Sequence, residues 1–128
     1  MNSVESKPVI SESYHNTVLQ GDCIEAMPQF RSATVDFVLT DPPYLVNYKS
    51  NDGRTVPNDD NDAWLKPAFG EIYRVLRWNR FCVSFYAWNR GDKFIAAWRD
   101  AGFHIAGHLT FIKKYADRKS TRLNSSHV

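Results

Sequence analysis

Cysteine is scarce in this chain: Cys23 and Cys82 are the two in 128 residues, far apart and outside any Cys-x-x-Cys pattern. That excludes a disulfide scaffold and a thiolate metal site, and it reads as two buried, reduced thiols of a cytoplasmic protein. Long apolar runs are missing too. Nothing approaches the roughly 20 residues that a membrane helix needs, and the polar start from Met1 to Asn16 has no signal-peptide core. Histidine is limited to four residues, and His104 and His108 lack the neighbouring acids or thiols of a ligand set, so they read as strand histidines. An excess of one charge is likewise absent, since 16 basic residues face 14 acidic ones.

Part of that small basic excess sits in a tail without hydrophobic period, Asp117-Arg118-Lys119-Ser120-Thr121-Arg122-Leu123-Asn124-Ser125-Ser126-His127. It resembles, codon for codon, the translation of a common short-read sequencing adapter. Residues 117–128 are therefore read as a non-biological tail, with the reading frame truncated near Ala116. The alternative is a basic tail gripping phosphate. The tail holds three basic residues and one acidic, so thirteen of each remain without it. Overall charge then lends no support to nucleic-acid binding.

What is present is ordinary for a small globular domain: 43% hydrophobic and 23% charged residues. The pattern alternates strands and helices. Thr17–Gln20 reads as a short strand, and Asp22 with Glu25 as a capping-box-like start to a helix running to about Phe30. Val35 to Thr40 is β-branched and aromatic, the mark of a buried strand. Leu45 to Asn61 has no period and reads as a loop long enough to be functional. Leu65, Phe69, Ile72, Tyr73 and Leu76 repeat at helical spacing within about Asp62 to Trp78, with Pro67 acceptable only in the first turn. Phe81 to Tyr86 is the next strand. Asn89 or Arg90 to Ala101 is a helix with Phe94, Ile95 and Trp98 inward and Gly102 as its stop, and Phe103 to Lys114 reads as a longer strand. Such alternation implies an α/β fold, a mostly parallel Rossmann-like sheet with helices on both faces.

The most specific residues close the Val35–Thr40 run: Asp41-Pro42-Pro43-Tyr44. Ligands of open α/β sheets bind at the carboxyl ends of strands, where this tetrapeptide falls. Pro42 and Pro43 fix two φ angles and remove two N–H donors, so the turn presents carbonyl and carboxylate oxygens beside the Tyr44 ring. Acceptors next to a stacking surface suit a flat group with an amino substituent, such as a nucleobase.

Here the chain resembles a known family, the amino-group DNA methyltransferases, which methylate adenine N6 or cytosine N4 with S-adenosylmethionine. Asp41-Pro42-Pro43-Tyr44 looks like their catalytic motif, Val18 to Met27 resembles the segment before it, and Ala63 to Tyr86 the helix and strand after it. The resemblance covers roughly Thr17 to Tyr115, in the family's order. It implies a partial Rossmann-like, S-adenosylmethionine-dependent fold. It assigns Asp41, Pro42, Pro43 and Tyr44 to catalysis: the Asp41 carboxylate and Pro42 carbonyl accept the two amino hydrogens, and Tyr44 stacks on a flipped base. Asp22 and Asp41 are its cofactor-binding residues, with Asp22 accepting from the cofactor's adenine amino group, although a helix N-cap is the simpler role for Asp22. Double-stranded DNA is the implied partner, with no metal and no membrane. Asp at position 41, where N4-cytosine enzymes more often carry Ser, favours adenine.

The chain departs from the family in one respect. The Phe-x-Gly-x-Gly type loop that holds the methionine part of the cofactor does not occur. In one branch that loop follows the catalytic motif, after a target-recognition region, and this chain resembles that permuted order. The division is then a polar segment over 1–16, an incomplete catalytic half over 17–116, and the tail. The fragment alone is expected to be inactive and to bind the cofactor weakly.

Other residues weigh less. Tyr48, Lys49 and Arg54 in the long loop are candidates for contacting DNA or closing over the base, against the plainer reading of solvated loop charges. Asn58-Asp59-Asp60-Asn61-Asp62 invites a calcium loop, but Ala63 stands where the glycine is needed. Arg90-Gly91-Asp92 spells an integrin-like tripeptide and reads as coincidence. Phe81, Phe85, Tyr86, Trp88 and Trp98 read mostly as core, with Tyr86 and Trp88 the pair nearest the cofactor or base. Two further classes stay open: a non-catalytic nucleic-acid-binding module, which needs a basic surface, and a magnesium nuclease built on Asp41, Asp59, Asp60 and Glu71.

Overall fold

The hexapeptide Val35–Thr40 forms a strand, β1, with the expected bounds. The structure, a computed structural model, describes residues 14–45, 53–54 and 61–114. The adapter-like tail and residues 1–13 lie outside them. Before β1 comes a short helix, α1 (Cys23–Ala26), followed by a 3₁₀ turn, Met27–Gln29. The α-helix stops sooner than the expected Phe30 because Pro28 has no N–H to continue the i→i−4 ladder.

After β1 come α2 (Leu65–Val75), β2 (Leu76–Ser84), a 3₁₀ turn over Trp88–Arg90, and α3 (Gly91–Ala101). β1 and β2 pair in parallel with α2 between them, a βαβ unit of the kind that builds a Rossmann-like α/β fold. α2 buries Leu65, Phe69 and Ile72 of the stripe read from the sequence together with Ala68 and Val75, while Tyr73 is exposed and Leu76 falls in β2; Pro67 lies in the first turn. The helix ends at Val75, short of Trp78. Leu76 turns extended, with ψ 136°, and pairs with Val35. Pairing across the sheet outweighs the local helical spacing.

The register then slips: Val35 faces Leu76 but Phe37 faces Phe81, so Arg77–Arg80 bulge out of β2. Asn79, at φ +64°, supplies the left-handed residue of the bulge, a conformation asparagine tolerates better than most. Arg77 donates to Asp36 at 2.9 Å beside it, while Trp78 stands almost fully exposed.

Val38 and Cys82, partners in the ladder, face a core of Leu45, Leu65, Phe69, Ile72, Phe94 and Ala97 supplied largely by α2 and α3. Alternation sends Phe37, Leu39 and Phe81 to the opposite face, where they are exposed. Among the described residues, α2 and α3 therefore cover one face of the sheet. Phe81, at 66% exposure, and Trp88, at 65%, depart from the core reading, whereas Phe94 is fully buried.

Gly102 ends α3 as expected, at φ +113°, with its N–H on Arg99 O and that of Phe103 on Trp98 O, both at 3.0 Å. Glycine is required twice over, since a Cβ there would lie 2.9 Å from Tyr73 Cζ. Two expected strands, Thr17–Gln20 and Phe103–Lys114, form no ladder. A β period is only an opportunity to pair, and among the described residues neither segment has a strand partner. Cys23 is exposed and Cys82 half-buried, rather than both buried. No helix among the described residues is long and apolar enough to cross a membrane.

Candidate active site

The turn Asp41–Tyr44 leaves the carboxyl end of β1, beside the end of β2, where Phe85 N–H donates to Thr40 O at 3.0 Å. Asp41 is exposed; Pro42, Pro43 and Tyr44 are half-buried; Leu45 is buried in the core. Within the turn the Tyr44 hydroxyl donates to Asp41 Oδ1 at 2.7 Å. The carboxylate is thus held in one orientation by the aromatic ring three residues on. Partial burial, and then the hydrogen bond and charge of Asp41, push the Tyr44 hydroxyl up to about 12.

A testable consequence is that a phenol absorbing as tyrosinate only at about pH 12 is found in a spectrophotometric titration and belongs to Tyr44. Asp41→Asn should bring it back toward the ordinary value of 10.0. Because the folded value lies above the ordinary one, the neutral phenol's contribution to stability is complete below pH 10.0 and is lost as the pH climbs through about 12. A late titration that persists in Tyr44→Phe would assign the shift to another ring.

Asp22 is the N-cap of α1: Oδ1 accepts from Ile24 N–H at 2.9 Å, and its carbonyl accepts from Glu25 and Ala26. The capping role is therefore realised. Asp22 is exposed, and among the described residues no hydrogen bond engages Oδ2, which can face an amino donor. Asp41, the other cofactor-side residue of the sequence reading, has its Oδ1 engaged by Tyr44.

Tyr86 lies in an aromatic cluster with Phe94 and Trp98, at ring distances of 5.9 and 5.4 Å, and its hydroxyl lies 3.0 Å from His108 Nε2. His108 thus belongs to an irregular segment crossing Tyr86 rather than to a strand. Trp88 is exposed on the 3₁₀ turn. Arg54 is exposed, and Tyr48 and Lys49 lie outside the described residues. So do Asp59 and Asp60 of the nuclease alternative, while both oxygens of its Glu71 are engaged by Arg74 at 3.0 Å. No three His, Cys, Asp or Glu side chains cluster as metal ligands among the described residues.

Two residues around the turn escaped sequence reasoning. Leu45 sits at φ +65° with its side chain in the core, and Arg90 donates to its carbonyl at 3.0 Å. The partners are 45 positions apart, so no local pattern announces the bond.

No protein-family model matches the chain. The chain is similar to the protein named "Putative methylase YubD" of Escherichia coli (strain K12), 52% identical over 100 residues, which are 78% of this chain and 44% of that protein. It is also similar to the type II methyltransferase M.HinfI of Haemophilus influenzae, 28% identical over 67 residues, 52% of this chain and 18% of that protein. The chain thus spans less than half the length of either relative. Both names, with the parallel βαβ unit, support a methyltransferase family.

Proposed function

We propose that this chain is the catalytic portion of an S-adenosylmethionine-dependent DNA methyltransferase of the amino-group, permuted type. On this reading it acts in the cytoplasm on double-stranded DNA, at adenine N6. The observation that carries the reading is the turn after β1, where the Tyr44 hydroxyl holds the Asp41 carboxylate at the carboxyl end of a parallel strand. The similarity to proteins named for methyl transfer supports it.

The chemistry follows from the acceptors. The amino nitrogen of adenine is a poor nucleophile because its lone pair is delocalised into the ring. Two acceptors on its hydrogens, Asp41 and the Pro42 carbonyl, hold the nitrogen closer to tetrahedral and direct the lone pair outward. The cofactor supplies a methyl group on an activated sulfonium. Orientation and charge complementarity then carry most of the rate. Tyr44 would offset an unstacking cost of a few kcal/mol by packing on the flipped base. A carboxylate has lone pairs to spare, so Asp41 can accept from the base amino group while Oδ1 keeps the Tyr44 hydroxyl at 2.7 Å. Asp22 Oδ2 would take the cofactor's adenine amino group without giving up the N-cap on Oδ1.

A carboxylate and a carbonyl serve adenine and cytosine alike, so the choice of adenine rests on the family's association of Asp at this position with that base. Mass spectrometry of nucleosides from cells expressing the complete gene tests it, with N6-methyladenine expected. N4-methylcytosine alone would overturn the substrate and keep the mechanism. No methylated base at all, from soluble complete protein, would favour a non-catalytic nucleic-acid-binding module.

A further inference from the structure

We infer that Arg90 is the positioning residue of the catalytic turn: its guanidinium, bonded to the Leu45 carbonyl, fixes the backbone that carries Asp41 and Tyr44. The kinetic half of this inference rests on the proposed function; the structural half does not. Leu45 has φ +65°, where an L side chain crowds the backbone, so the conformation persists only if its surroundings hold it. Two restraints do so. The side chain is 7% exposed among Leu65, Phe69, Ile72 and Phe94, and the carbonyl accepts from Arg90 Nε at 3.0 Å.

Arg90 is itself well placed for the task. Its own N–H donates to Ala87 O at 2.9 Å, and it is the N-cap residue of α3, the helix that buries Phe94 and Ala97 in the same core. The loop after β1 and the loop after β2 are thus tied by one charge-assisted bond, from a planar donor that is always charged. Asp41 lies four residues before that anchor and Tyr44 one, so a turn freed at Leu45 would lose the orientation of both.

Methyl-labelled leucine NMR of this chain tests the anchor, because Leu45 is buried in one cluster with Phe69 and Phe94, whose rings should displace its methyl signals from random-coil positions. Arg90→Ala should move the Leu45 methyl signals toward random-coil positions and leave those of Leu65 in place. Arg90→Lys, which keeps the charge but loses the planar fork, should give intermediate shifts and serves if the alanine variant fails to fold. Lys93→Ala, one turn along α3 on the Asp62 side, should change nothing at Leu45. Leu45 signals identical to wild type in either Arg90 variant would overturn the anchor. In the complete enzyme, Arg90→Ala should lower kcat by about tenfold or more with an unchanged KM for the cofactor; an unchanged kcat would overturn the positioning role. A complete, unsubstituted protein that methylates nothing would instead sink the proposed function, with the anchor still judged by the Leu45 signals.

Discussion

Arg74→Ala should destabilise the folded chain by about 3 kcal/mol, the cost of removing a charged donor from a partly buried hub. All five N–H groups of Arg74 find acceptors. Nε and Nη2 bind the two oxygens of Glu71 at 3.0 Å, Nη1 reaches Phe30 O at 2.9 Å and Ser32 Oγ at 3.1 Å, and Nη2 also reaches Met27 O at 2.8 Å. The side chains of Arg74 and Glu71 are 21% and 25% exposed, so water replaces these bonds poorly. Backbone bonds run through the same place, since Ala33 N–H donates to Arg74 O and Thr34 N–H to Val75 O, both at 2.9 Å. Arg74 therefore ties the turn after α1, and the approach to β1, onto α2. Urea unfolding should show a lower midpoint at unchanged slope, and Tm should fall by more than about 10 °C. Arg74→Lys should recover less than half, because one ammonium cannot span two carbonyls and a bidentate carboxylate. A loss below about 1 kcal/mol, with Lys equal to Arg, would mean that solvent satisfies these groups.

Asp41→Ala, in the complete enzyme, should reduce methylation by at least about two orders of magnitude while cofactor affinity stays within several-fold. The asymmetry follows from the proposed role of Asp41, which lies mainly on the base amino group. Removing it leaves the Pro42 carbonyl as a lone acceptor and releases Tyr44 from its 2.7 Å bond, so both the nucleophile and the stacking ring lose orientation. Asp22→Ala should show the reverse order, weakening cofactor binding first. It should also cost about 1 kcal/mol of stability, because the cap on Ile24 N–H is lost. Single-turnover methylation with calorimetry of cofactor binding separates the two. Near wild-type turnover in Asp41→Ala would remove this turn from the mechanism.

The sequence by itself determined the elements whose cause is local. Val35–Thr40 is a strand because it is rich in β-branched and aromatic residues and closes on a Pro-Pro turn. α2 and α3 follow from apolar residues at helical spacing, and Gly102 stops α3 because only glycine fits its φ and the nearby Tyr73 ring. The Asp41–Tyr44 turn was equally legible, since two prolines and a strand end define it within a few residues.

Tertiary structure decided whatever depends on a partner distant in sequence. Leu76 left the helix to pair with Val35, while Thr17–Gln20 and Phe103–Lys114 kept their β patterns without a ladder. A strand is a relation between two segments, and periodicity reports one. Exposure of Phe81 and Trp88 came likewise from which face α2 and α3 cover, not from residue type. The two arginines most consequential here, Arg74 on carbonyls 44 and 47 residues away and Arg90 on one 45 residues away, look in the sequence like any surface cation. A guanidinium's role is set by the backbone oxygens that the fold brings within its reach, and those are placed only when the chain has closed.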